Sequence, residues 1–184
     1  MIELWIPITI LAAFSQNLRS ALQKHLKSRL STAGATYVRF FYAVPFAFLY
    51  LFILNQIFFL PLPEPNANFI IFGIIGGGTQ IIATALLVYL FSFRNFAVGT
   101  AYSKTETAQT AVFGLIILGD PLTPGAIIGI MISLVGVMAI STARQENGLK
   151  NIIQSLSQKT ALIGLASGAM FGMSAISYRA ASLS

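Results

Sequence analysis

The chain has 184 residues, 56% of them apolar and only 9% charged, with no cysteine. A soluble domain carries roughly 25% charged residues, so a soluble globule of this composition could not cover its surface. An ordinary soluble enzyme, a disordered tail and a disulfide-stapled secreted module are excluded. So is a nucleic-acid partner, because the net charge of +6 is spread between long apolar runs rather than clustered on a polar face.

The bilayer is the solvent that fits, and crossing it takes about 20 mostly apolar residues. The first such run is Leu4 to about Leu22. Glu3 precedes it and no basic residue does, unlike the start of a signal peptide. The second is Ala35 to about Leu54, where Pro45 predicts a kink. Asn55–Asn68 holds Pro61, Pro63 and Pro65 and cannot be helical throughout. The third run is Phe69–Phe93, with Gly76-Gly77-Gly78 expected to interrupt it, through close helix packing or, as the lesser alternative, to free backbone groups for a solute. The fourth is Phe96–Leu118 and the fifth Gly125–Ala143. Between these two, Thr123 suits an N-cap and Pro124 the first helical position. Gly148–Lys159 puts Leu149, Ile152, Ile153 and Leu156 on one face, the pattern of a short interfacial helix. A sixth helical run begins near Thr160. The fold class is therefore all-α integral membrane, with five complete transmembrane helices and a sixth at the C-terminus.

Charge placement orients the bundle. Loops on one side hold Lys24, Lys27, Arg29, Arg94, Arg144, Lys150 and Lys159; those on the other hold only Glu3, Glu64 and Asp120. Basic loops stay cytoplasmic, which places the N-terminus outside. Small residues recur at four-residue spacing at Gly125/Gly129/Ser133, Gly164/Gly168/Gly172 and Gly73/Gly77. Such stripes let helix backbones approach closely within a bundle, or across a dimer.

The sixth run repeats the first. Leu18-Arg19-Ser20-Ala21 aligns with Tyr178-Arg179-Ala180-Ala181, and an odd number of runs separates the two starts. A second copy would then lie inverted in the membrane, which is a transporter architecture. The chain accordingly reads as residues 1–143, a first five-helix repeat; 144–159, a linker; and 160–184, the first helix of a truncated second repeat. The expected partners are the lipid bilayer, a small-molecule substrate, and the missing second repeat or another copy.

Three stretches carry a family resemblance. They are Ala35-Thr36-Tyr37-Val38-Arg39-Phe40-Phe41, then Leu118-Gly119-Asp120-Pro121-Leu122-Thr123 with Gly129 and Gly136, and Gly168–Arg179. Together they resemble the EamA-type members of the drug/metabolite transporter superfamily. That resemblance implies a ten-helix inverted-repeat fold, a central cavity between the repeats, and a location in the plasma membrane (the inner membrane of a bacterium). It also implies both termini inside, against the charge count. Asp120 stands where the family has a glutamate, and Lys104-Thr105-Glu106-Thr107 stands where an apolar stretch with a proline is usual.

The fourth run carries the candidate site. Counting from Phe96 at about 1.5 Å per residue, Glu106 lies about 15 Å deep and Lys104 about 12 Å deep in a core about 30 Å thick. Charges at that depth must be paired, protonated or facing water. Tyr102, Glu106, Gln109 and Phe113 share a helical face, read as the wall of a solute cavity. Glu106 would bind a cationic group or exchange a proton; the alternative is a structural ion pair with Arg39 or Arg19. Lys104, Gln80, Asn17 and Arg39 complete the candidate substrate-binding or coupling set. Arg39 and Arg19 could instead snorkel to the interface, Gln80 and Asn17 could serve interhelical hydrogen bonds, and Arg179 reads as an interface anchor. No metal-ligand cluster and no cofactor are expected. His25 is the only histidine, so no nucleophile–base pair can be assembled and the chain is not read as an enzyme. The function read from the sequence is transport of a small organic solute; the alternative is a non-transporting helical scaffold or assembly subunit.

Overall fold

The computed structural model describes residues 5–61, 64–93, 96–143 and 159–184, and every regular element among them is helical. The expected interfacial helix in the 144–159 linker lies outside the described residues except for Lys159.

Helix α1 (Trp5–Lys27) runs a turn beyond the expected end at Leu22. Lys24, His25 and Lys27 in its last turn complement the helix dipole. Helix α2 (Thr32–Phe41) starts at Ser31, whose hydroxyl accepts from the Gly34 N–H at 3.1 Å. It gives way at Tyr42 to α3 (Ala43–Gln56). This is the kink expected from Pro45. A proline has no N–H for the carbonyl four residues back, here that of Phe41, and its ring crowds that carbonyl. Asn66 caps α4 (Ala67–Leu90), accepting from the Phe69 N–H at 2.7 Å.

One expectation about the glycines fails. Helix α4 runs unbroken through Gly76-Gly77-Gly78, because a backbone in hydrocarbon keeps its intrahelical bonds where no other partner is offered. The interruption falls in the fourth run instead, between α5 (Phe96–Ser103) and α6 (Glu106–Phe113). Beyond α6 comes a π-helical turn, Gly114–Leu118, closed by Gly119 in the left-handed conformation at φ +70°. The fifth run is α7 (Pro124–Ala143), with Thr123 accepting from the Ala126 N–H at 3.2 Å. The sixth is α8 (Lys159–Leu183).

Among the described residues, three stretches are long and apolar enough to span a membrane by length and composition: Thr32–Gln56, Ala67–Leu90 and Lys159–Leu183. Helix α3 has no buried residue and exposes Phe46, Phe48, Tyr50 and Phe52, as a lipid-facing helix does.

Helix α8 is the centre of the packing. Its Ser167 hydroxyl donates to the Ala83 carbonyl at 2.9 Å and its Ser174 hydroxyl to the Gly76 carbonyl at 2.8 Å. The residue numbers rise on one helix as they fall on the other, so α4 and α8 are antiparallel. Gly76 is needed for this approach: a Cβ there would lie 2.9 Å from the Tyr178 ring. On its other flank α8 runs parallel to α5 and α6. A Cβ at Gly164 would collide with the Gly99 carbonyl, one at Gly168 would sit 2.9 Å from the Ser103 carbonyl oxygen, and one at Gly172 would sit 3.0 Å from the Thr110 hydroxyl. The Gly164/Gly168/Gly172 stripe is thus a backbone-to-backbone seam. The other stripes are not: Gly73, Gly125 and Gly129 have open space beside them, and Gly77 has only the Tyr178 hydroxyl, 3.8 Å from a Cβ placed there. At the far end of α8, Arg179 pairs with Asp120 at 3.0 Å, and Asn66 donates to the Ser184 carbonyl at 2.8 Å.

Candidate functional site

The interruption after Ser103 has a local cause. The Ser103 hydroxyl donates to the Thr100 carbonyl at 2.8 Å, and the Thr105 hydroxyl to the Tyr102 carbonyl at 2.7 Å. Small hydroxyl side chains of this kind compete for helix carbonyls. The backbone tightens with them: the Lys104 N–H reaches Ala101 at 3.0 Å and the Thr105 N–H reaches Tyr102 at 3.1 Å, both one residue shorter than α-helical bonds. Helix α6 then restarts at Glu106, with the Gln109 N–H bonded to the Thr105 carbonyl at 3.0 Å.

Beside the interruption lies a cleft of ≈ 260 Å³ between α1, α4 and α5. Asn17, Ser20, Ala21 and Lys24 of α1 form one wall; their spacing of three and four puts them on one helical face. Leu87 of α4 and Phe91, just past its end, form the apolar side. Thr100, Ser103 and Lys104 form the third wall. Lys24 and Phe91 stand at the ends of their helices and mark the mouth on the basic side. Asn17 lies about 15 Å along α1 from its end, and Lys104 about 12 Å along the fourth run from the start of α5, at 1.5 Å per residue. The volume falls just below the range of roughly 300–1,000 Å³ usual for small-molecule sites. No carboxylate lines it among the described residues.

Residues 3–142 match the family model of the EamA-like transporter family. This chain belongs to the EamA-like transporter family. It is an integral membrane protein of the drug/metabolite transporter type. No curated protein and no solved structure matches it.

Within this EamA-like chain the structure divides the residues picked out from the sequence. Asn17 and Lys104 meet in the cleft. Tyr102, Glu106 and Gln109 lie toward α8 instead. Tyr102 is buried against Ala161 and Leu165. Gln109 donates to the Thr105 hydroxyl at 2.9 Å and to the Leu165 carbonyl at 3.4 Å, while its buried side-chain oxygen has no partner. Glu106 is half-buried, its backbone N 3.3 Å from where a Cβ at Gly168 would be. The shared face of Tyr102, Glu106, Gln109 and Phe113 is thus a packing face onto α8 in this structure. Gln80 on α4 and Arg39 on α2 are outside the cleft. Arg39 stacks over the Phe40 ring at 5.2 Å. The ion pair considered for Glu106 with Arg39 or Arg19 is absent among the described residues, and Lys104 acts on Glu106 electrostatically without closing to a salt bridge. Arg179 is the residue that pairs, with Asp120.

Sequence reasoning missed Ser20, Lys24, Thr100 and Ser103 as members of one wall set. The signal was present for α1, where Asn17, Ser20 and Lys24 repeat at helical spacing through an otherwise apolar run. It was absent for the meeting of α1 with α5, which no local pattern encodes.

Proposed function

We propose that the chain moves a small organic solute across the membrane and that the cleft between α1, α4 and α5 receives it. The observation that carries this is the cleft itself: a polar wall of Asn17, Ser20, Thr100, Ser103 and Lys104 at an interrupted helix, inside an apolar bundle. Interrupted helices beside a cavity are how membrane transporters bring polar groups to a solute without exposing backbone to lipid. A scaffold subunit has no use for such a wall. The wider architecture we propose is the ten-helix inverted repeat, with residues 1–143 as one repeat and α8 as the inverted counterpart of α1. Two things support that reading: the Arg19/Arg179 sequence match and the antiparallel setting of α8 on α4. Glu106, at the start of α6, is the proposed coupling group. The test is a mass-spectrometric profile of small molecules inside and outside cells producing the chain, set against cells producing Asn17→Leu at equal membrane level. The expected result is a solute class redistributed by the first and not by the second. Identical profiles in both would overturn the assignment of the cleft.

A further inference from the structure

We infer that the cleft selects solutes bearing a carboxylate, held between Lys24 and Lys104 with the apolar part of the solute on Leu87 and Phe91. The inference rests on the reading of the cleft as the solute site and adds the charge class.

The charged side chains lining the cleft are both cations, and no carboxylate lines it among the described residues. Lys24 stands at the mouth, in the last turn of α1. Lys104 stands at the interruption, on the opposite wall, and its side chain is exposed like that of Lys24. Two like charges lining one cleft attract an anion from two of its walls. Their pull grows as the surroundings become less polar, since Coulomb energy scales inversely with the effective dielectric. The Asn17 amide lines the same space and adds a neutral N–H donor suited to a carboxylate oxygen, while the Ser20 hydroxyl beside it is given to the Gln16 carbonyl at 3.0 Å. Leu87 and Phe91 on the third side offer a hydrocarbon or ring surface but no charge. Glu106, nearest in sequence to Lys104, is not among the lining residues. Capacity limits the solute to a small one.

The experiment is equilibrium binding to the purified chain in phosphatidylcholine nanodiscs, with three probes of one shape: 3-phenylpropionate, 3-phenylpropanol and 3-phenylpropylamine. The carboxylate is expected to bind at least tenfold more tightly than the alcohol, and the amine not at all. Lys104→Gln is expected to weaken the carboxylate about tenfold and leave the alcohol unchanged; Lys24→Gln is expected to slow carboxylate association and make it less sensitive to salt. Gly129→Ala, beside open space on α7, serves as the folded control. Equal binding of all three probes, lost in Asn17→Leu, would overturn the charge class while leaving the cleft as the solute site. Carboxylate binding untouched by either lysine variant and by Asn17→Leu would overturn both. Loss of carboxylate binding when phosphatidylglycerol replaces phosphatidylcholine would reassign the two lysines to a lipid headgroup and overturn the inference.

Discussion

Lys104 and Glu106 stand two residues apart and end up with different surroundings. The turn between α5 and α6 separates them: Lys104 lines the cleft toward α1, while Glu106 opens the helix whose backbone rests on α8. Their depth was legible in the sequence, because counting residues from the start of the run is enough for it. Their directions were not. A continuous helix would have set both at angles fixed by 100° per residue, and the turn removes that relation. The distinct surroundings suit distinct tasks. Glu106→Gln keeps the shape and removes the titrating group. It is expected to abolish solute movement, or uncouple it from pH, with membrane insertion unchanged. Uptake that keeps its full pH dependence in this variant would refute proton coupling through Glu106.

At the scale of the helix, the glycines show how far a spacing pattern can be trusted. Three stripes of small residues look alike in the sequence, yet only Gly164/Gly168/Gly172 meets a partner backbone, and Gly76, from outside the Gly73/Gly77 stripe, takes the Tyr178 ring. Periodicity says that a close approach is possible on a face; which face finds a partner is decided by the other helices. Gly164→Ala would drive its Cβ into the Gly99 carbonyl. Overpacking of this kind costs about 1–3 kcal/mol. The variant is expected to melt several degrees lower in detergent, while Gly129→Ala melts with the parent. Equal melting of both would show that the seam between α8 and α5 is not tight. Gly76-Gly77-Gly78 does not interrupt α4, whereas Ser103 and Thr105 do break the fourth run, for a related reason. Glycine removes a side chain but leaves the backbone bonds intact, whereas Ser103 and Thr105 bring hydroxyls that compete for the carbonyls themselves.

For the whole molecule, hydropathy was the legible part. The membrane class, the five run boundaries and the sixth start follow from apolar length, and the helices reproduce them to within a few residues. What hydropathy omits is the order of neighbours. In an all-apolar bundle, burial carries little information, since lipid and protein are equally good surroundings for leucine. The central place of α8 was therefore invisible, and so was the pairing of Arg179 with Asp120. That pair and the bond from Asn66 to Ser184 bring the start of α4, the end of α8 and the α6–α7 connection to one side. Lys24 near the end of α1, Phe91 past the end of α4 and Lys159 at the start of α8 fall on the other. With no cysteine in the chain, one introduced thiol reports its own side without background. Ser28→Cys is expected to react with an impermeant maleimide only from the cytoplasmic face, and Thr123→Cys only from the outer face. The reverse pattern would mean that segments beyond these helices outvote the basic loops.

The glycine seam has a mechanical corollary. Both short rods of the fourth run are seated on one keel, so neither can tilt without lifting off it, and α4 is tied to the same keel by two serine hydroxyls. Helix α1 is mostly exposed; Gln23 is its one buried side chain among the described residues. Of the three walls around the cleft, two are bolted together and the third is hung like a door. The expected opening is a swing of α1 over a frame that keeps its shape. Spin labels on Leu11 and Ile82 are expected to show a broad or two-peaked distance distribution, and labels on Ile82 and Leu162 a single narrow one. Equal widths for the two pairs would mean that the frame moves with the door.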